Sequence, residues 1–192
     1  MAVVIKQVLV SIFLSYAFAS AYKLSSVIIW TVVVSLIVIY GSFNTCWVTL
    51  PGKNATTGKI PPIRVLIFLP YFVAVVFLMI GGRIISSLKR WKSYNEIYTG
   101  VFLGDYYSSF MPKNKWAGIV DVTNELPRIA ESGSYLNVPS WDGCPPPVEN
   151  IQKAVEFILL CEKPVLIHCA YATYILSMFI RLLGTAKVEV PR

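Results

Sequence analysis

Residues 164–171 have the sequence PVLIHCAY, and this stretch decides the fold of the second half of the chain. It contains an unbroken apolar run, residues 165–167, directly after a proline. A strand that is apolar at every position is typical of a parallel sheet buried on both faces. The run therefore predicts a central strand that leads into His168 and Cys169.

The segments before this strand complete an α/β pattern. Residues 96–105 (EIYTGVFLGD) hold two apolar runs parted by Gly100 and predict a tight hairpin. Residues 118–122 and 134–138 are strand candidates, and the prolines at 145–147 open a helix. Apolar side chains recur in that helix at helical spacing: Ile151, Ala154, Val155, Ile158 and Leu159. Strands that alternate with a helix predict a mainly parallel sheet flanked by helices.

The end of the central strand is also where chemistry is expected. A cysteine at the carboxyl end of such a strand faces the open crevice of an α/β sheet. The N-terminus of a following helix binds phosphate and lowers the pKa of a thiol. The resulting thiolate can attack phosphorus, after which an acid must protonate the departing oxygen. Asp142, on the loop one helix and one strand before Cys169, is the candidate acid.

Four segments, in this order, carry a family resemblance: 97–105 (IYTGVFLGD), 120–127 (VDVTNELP), 135–143 (YLNVPSWDG) and 164–171. Together they resemble the dual-specificity branch of the cysteine-based phosphatases, within the protein tyrosine phosphatase superfamily, and especially its small membrane-anchored members. The resemblance covers about 80 residues in the family's order and spacing, which is far more specific than an isolated His-Cys pair.

The resemblance implies a function and a set of site residues. It implies that Cys169 is the nucleophile, Asp142 the general acid and His168 the residue that orients the phosphate-binding loop. The implied reaction is hydrolysis of a phosphate monoester through a cysteine phospho-intermediate, on a phosphorylated protein or a phospholipid. Neither a metal nor any other cofactor takes part in that reaction.

The phosphate-binding loop departs from the family pattern, which is His-Cys, five residues, Arg, and then Ser or Thr, with glycines inside the loop. Here the loop positions hold Ala170, Tyr171, Ala172, Thr173, Tyr174 and, in place of the arginine, Ile175. A guanidinium grips two phosphoryl oxygens and stabilises the charge on the transferring group, and isoleucine cannot. Two hypotheses follow: a membrane phosphatase that acts through Cys169, and a catalytically inactive phosphatase-like isoform that acts only by binding.

The phosphatase-like domain, residues 94–192, is expected to be incomplete at its C-terminus. The family has further helices after the signature, which cover the second face of the sheet. Here the resemblance ends at Tyr171, and of the remaining chain only residues 174–183 are apolar enough to form such a helix. This abrupt end predicts a truncated or replaced tail, from alternative splicing or a gene-model error.

Residues 1–93 have the composition of a transmembrane region. The chain is 56% hydrophobic and 14% charged, whereas a soluble domain carries about 25% charged residues. Residues 24–43 and 65–82 each supply roughly the 20 apolar residues that cross a bilayer as a helix. Residues 7–22 are either a third span or a signal peptide with a small-residue cleavage site. We expect a membrane α-helical N-terminal half with two or three spans.

The orientation follows from the basic residues near the span ends. The densest cluster comes after the last predicted span: Arg83, Lys89, Arg90 and Lys92. If residues 7–22 do not cross, Lys6 and Lys23 join this cluster, opposite Lys53, Lys59 and Arg64. If residues 7–22 do cross, the basic residues divide almost evenly, and a cleaved signal peptide would place the cluster outside. We therefore expect a multi-pass membrane protein with a cytosolic C-terminal domain and the lipid bilayer as partner.

Charge and cysteine content narrow the remaining possibilities. The net charge is +7, but the basic residues are not interleaved with stacking aromatics, so nucleic acid is not expected as a partner. The four cysteines match neither a zinc pattern nor a redox pair. We expect them to be free thiols in a reducing compartment.

Overall fold

The structure is a computed structural model, which describes residues 2–22, 25–43, 47–89, 92–110, 116–129, 133–141 and 146–170. Its α-helices are α1 (Ala2–Tyr22), α2 (Ser25–Ser42), α3 (Pro62–Ile67), α4 (Leu69–Leu88) and α5 (Val148–Leu160). Helices α1, α2 and α4 are each long and apolar enough to cross a membrane. The prediction of apolar helices that make this a membrane protein is confirmed.

The segment predicted as the last span, residues 65–82, differs in its bounds. The helix is divided at Phe68, so that the residues before it belong to α3 and α4 continues to Leu88. Pro70 lies in the first turn of α4, where the N–H that proline lacks has no partner within the helix. The proline therefore sets the start of α4 rather than interrupting a span.

Polar side chains join the three long helices to one another. The Tyr71 hydroxyl donates a hydrogen bond to Gln7 Oε1 at 3.1 Å, and the Thr31 hydroxyl donates one to the Ser15 hydroxyl at 2.7 Å. Trp30 Nε1 donates to the carbonyl oxygen of Ile67 at 3.0 Å. Such hydrogen bonds are common between membrane helices, where lipid offers no competing partner.

The second half forms a mixed five-stranded sheet. Its strands are β1 (Tyr94–Tyr98), β2 (Val101–Gly104), β3 (Gly118–Thr123), β4 (Ser134–Ser140) and β5 (Val165–His168), in the order β1-β2-β5-β3-β4. Only β1 is antiparallel to its neighbour, and Gly100 turns the hairpin at φ +72°. The predicted hairpin, the mainly parallel sheet and the central position of β5 are confirmed.

Helix α5 covers one face of the sheet with a narrower stripe than the sequence predicts. Ile151, Ala154 and Ile158 are buried in one cluster with β-strand side chains. Val155 is only half-buried, and Leu159 is 51% exposed. The prediction that these two residues are buried is wrong, because a helix packed against a sheet buries only the side chains that point at it. The other face carries a small cluster of Trp116, Ile119 and Leu166.

The helices and the sheet share a buried core. The N-terminal half contributes Val4, Val8, Val34, Val38, Phe68, Tyr71, Val75 and Met79 to this core. The α/β half contributes Tyr106, Leu126, Trp141 and Ala170, all of which follow the carboxyl ends of strands. The N-terminal helices therefore pack against the edge of the sheet where a catalytic crevice is expected.

Candidate functional site

Cys169 lies where the sequence predicts, directly after the central strand β5. All four residues of β5 are buried, and Cys169 itself is only 6% exposed. In register, His168 is paired with Gly104 on one side and with Asp121 on the other. The thiol is thus placed at the carboxyl edge of the sheet, between β2 and β3. Cys161 and Cys169 form no disulfide.

The other predicted site residues lie outside the part of the chain that the structure describes. They are Asp142, Tyr171, Ala172, Thr173, Tyr174 and Ile175. The described residues that flank them, Trp141 and Ala170, belong to the same buried cluster. The structure therefore places the attachment points of the two loops at the same edge of the sheet, while the roles of the loop residues stay predictions.

A buried ion pair lies at the same edge and joins the two halves of the chain. Lys53, in the segment between α2 and α3, places its Nζ 2.5 Å from Asp121 Oδ2, and both side chains are at most 2% exposed. The same Nζ donates to the hydroxyl of Thr123 at 3.0 Å and to the Thr123 carbonyl at 3.1 Å. An ammonium has three donors, so these contacts use its full capacity.

Asp121 is held by several donors besides Lys53. Its carboxylate accepts hydrogen bonds from the Tyr135 hydroxyl at 2.7 Å and from the backbone N–H of Thr123 at 2.9 Å. Burial raises the pKa of Asp121, but the nearby Lys53 charge and these hydrogen bonds outweigh it. The pKa is lowered to about 2, so Asp121 is a carboxylate at neutral pH.

His168 lies beside this carboxylate but is not its ionic partner. Its Nε2 is 3.8 Å from Asp121 Oδ1, and its ring centroid is 5.9 Å from that of Tyr106. Burial lowers the pKa of His168, and the opposing attraction of Asp121 does not restore it, because the positive Lys53 also disfavours an imidazolium. At neutral pH the imidazole is therefore uncharged, which suits a positioning role next to Cys169.

We expect the stability of the protein to fall as the pH drops below about 6.5. The pKa of His168 in the folded chain lies below its ordinary value of about 6.5, so the unfolded chain takes up the proton first. The stability that depends on neutral His168 is complete above pH 6.5 and is lost below it. Thermal unfolding of the full chain in detergent micelles, between pH 7.5 and 5, measures this loss.

The chain has a single histidine, so His168→Asn is the matched control for that measurement. The variant should be less stable at pH 7.5, yet its Tm should change less between pH 7.5 and 5. An identical pH dependence of Tm in both proteins would contradict the attribution of this stability loss to His168.

The carboxyl edge is enclosed by the segment between α2 and α3. Asn124 Nδ2 donates to the carbonyl of Val48 at 3.0 Å, and the backbone N–H of Arg128 donates to the carbonyl of Gly58 at 2.8 Å. Trp141, which follows β4 at the same edge, is buried and packs edge-on against Tyr71. The site as described is therefore a closed one.

Lys53 and Asp121 are the site residues that sequence reasoning missed. Asp121 lies in the strand sequence GIVDV, and an acid inside a strand buried on both faces requires a partner. That signal predicts a cation without saying which of the 17 Lys and Arg residues supplies it. The sequence around Lys53 indicates only a marker of membrane topology.

Comparisons with known proteins found no match: no protein-family model, no curated protein and no solved structure matches this chain.

Proposed function

We propose that the chain is a membrane-bound, phosphatase-like protein of the cysteine-based dual-specificity class, and that in this form it does not turn over phosphate monoesters. The observation that carries the class is the position of Cys169. It follows the central strand of a mainly parallel sheet and is preceded by a buried, neutral histidine in register with Asp121. The described residues of the four segments of family resemblance include β1, β2, β3, β4 and β5 of this sheet, in whole or in part.

Three features support negligible turnover. The position of the signature arginine holds Ile175, and loss of a comparable charge-stabilising donor costs about 10²–10³ in rate. Lys53, the cation at this edge, has all three donors engaged by Asp121 and Thr123. Cys169 is almost fully buried, so a phosphorylated side chain or headgroup does not reach its sulfur in this conformation.

The remaining role is that of a binding protein at the membrane. Its proposed partners are the lipid bilayer, through the apolar helices, and a phosphorylated protein or phospholipid, through the phosphatase-like domain. We propose a cytosolic position for that domain, because the basic cluster beside α4 favours the cytosolic side.

The second hypothesis is a working hydrolase, and one observation favours it. Cys169, Trp141 and Ala170 all follow the carboxyl ends of strands and so lie at one edge of the sheet, where nucleophile, acid and phosphate-binding loop are needed. Hydrolysis would require the buried Cys169 thiol to become accessible to a phosphate group.

Turnover of an aryl phosphate separates the two hypotheses. We expect the purified full chain, in detergent or in vesicles, to hydrolyse p-nitrophenyl phosphate no faster than its Cys169→Ser variant. Cys161→Ser is the matched control, because Cys161 lies at the end of α5, away from this edge. Activity that survives Cys161→Ser and is lost in Cys169→Ser would establish the hydrolase instead.

A further inference from the structure

The segment between α2 and α3, residues 47–61, is part of the α/β domain's own structure. Lys53 of this segment forms the buried pair with Asp121. Gly58 accepts a backbone hydrogen bond from Arg128, and a side chain on Gly58 would collide with Arg128 and Tyr135. Gly58 also adopts a positive φ of 68°, which favours glycine. Residues 47–61 therefore pack closely against the domain at several points.

This close packing requires residues 47–61 and the α/β domain to lie on the same side of the membrane. Two charges taken out of water are stable only when each remains with its partner. The pair cannot form if a bilayer core of about 30 Å separates Lys53 from Asp121. A path in which α4 crosses the membrane between them is thus incompatible with the buried pair.

Helix α4 itself touches the domain near both ends. Tyr71 packs against Trp141, with ring centroids 6.4 Å apart. Arg83 lies 3.6 Å from Asp105 and over the ring of Tyr107. At a rise of about 1.5 Å per residue, Tyr71 and Arg83 are about 18 Å apart along the helix. A domain that spans this length of α4 and remains in water leaves no room for lipid to surround the helix.

The distribution of basic residues agrees with this arrangement. If α1, α2 and α4 all cross, Lys6, Lys53, Lys59 and Arg64 face Lys23, Arg83, Lys89, Arg90 and Lys92, which is almost even. If only α1 and α2 cross, Lys23 is alone on one side and all the others lie on the domain side. The excess of basic residues on the domain side remains when only those nearest the ends of α1 and α2 are counted, where the positive-inside rule is strongest. Three of them, Lys6, Lys53 and Lys59, then stand against Lys23.

We infer that α1 and α2 are the crossing pair, and that the N-terminus, residues 47–61, α4 and the α/β domain all lie on the same side of the membrane. Helix α4 then lies beside the crossing pair, with the Tyr71 hydroxyl donating to Gln7 and Trp30 Nε1 donating to the Ile67 carbonyl, and it does not pass between residues 47–61 and the domain. Several exposed apolar residues of α4 recur at helical spacing and would face the lipid: Val73, Phe77, Ile80 and Ile84. This inference does not depend on phosphatase chemistry.

Thiol labelling of sealed microsomes, with the cytosolic face outward, tests the arrangement. Three variants of the full chain each add one exposed cysteine: Thr57→Cys in the segment between α2 and α3, Lys153→Cys on α5, and Ser25→Cys at the tip of the crossing pair. A membrane-impermeant polyethylene glycol maleimide reports each added thiol as one further gel shift over the parent chain. We expect Thr57→Cys and Lys153→Cys to react before permeabilisation, and Ser25→Cys only afterwards.

Opposite behaviour of Thr57→Cys and Lys153→Cys would overturn the inference, because α4 would then separate the two positions. Reaction of Ser25→Cys before permeabilisation, together with the other two, would overturn the crossing of α1 and α2. The reversed pattern, in which only Ser25→Cys reacts before permeabilisation, would support the shared side and contradict only the cytosolic position under the proposed function.

Discussion

Replacing Lys53 by methionine should lower the free energy of unfolding by about 3–5 kcal/mol, the usual cost of removing one partner of a buried ion pair. Methionine retains most of the apolar stem of lysine, so the change removes mainly the charge. The Asp121 carboxylate would remain buried and would keep only its hydrogen bonds from Tyr135 and Thr123. Denaturant titration of the full chain in detergent micelles measures the loss.

Two further variants make this result specific. Lys59→Met changes an exposed lysine of the same segment, and a surface substitution of this kind usually stays within about 0.5 kcal/mol. Asp121→Asn added to Lys53→Met removes the stranded charge and should recover part of the loss, which a double-mutant cycle quantifies. Equal effects of Lys53→Met and Lys59→Met would show that the pair does not form.

Truncating Trp141 to alanine should cost about 3–5 kcal/mol, the usual range for a buried tryptophan. Trp141 is 3% exposed and follows β4. Its ring packs against Tyr71 of α4, and its Cζ2 lies 3.5 Å from the point where a side chain on Gly41 would begin. The substitution therefore opens a cavity between the helices and the sheet, and the two parts should unfold less cooperatively. Far-ultraviolet circular dichroism and tryptophan fluorescence should then give different midpoints.

Trp47→Ala is the matched control for that cavity. Trp47 is 40% exposed and packs edge-on against Tyr40, so its loss should be smaller and should leave the two midpoints together. A Trp141→Ala protein with unchanged stability would contradict the shared core of helices and sheet.

The sheet could be predicted from the sequence because each of its elements has a recognisable pattern within a few residues. The apolar run of β5 and Gly100 of the hairpin act through burial and backbone conformation, which are local properties. Pro70 was harder, since proline is tolerated both inside a membrane helix and at its start. The same limit applies to Leu159, whose spacing fits the buried stripe although its side chain is 51% exposed.

The closed carboxyl edge could not be predicted in the same way. The ion pair at this edge joins residues 68 positions apart. The sequence around Lys53 does not predict Asp121 as its partner, and the sequence around Asp121 does not predict Lys53. A lysine near apolar segments is usually a topology marker, so the more common interpretation was applied to Lys53. The predicted roles of Cys169, His168 and Asp142 came from family resemblance, and they stay predictions.

The wide sequence separation of Lys53 and Asp121 has a consequence for synthesis on the ribosome. At about 5–20 residues per second, Asp121 emerges roughly 3–14 seconds after Lys53. In that interval the Lys53 ammonium must stay hydrated. Helices α1 and α2 are therefore made before the Lys53–Asp121 pair can join them to the sheet. The wait is longer still for the sheet, because β5, which lies between β2 and β3, is the last of the described strands to be made. A translocon that held residues 47–61 away from the emerging strands would therefore decide how much of the product matures correctly.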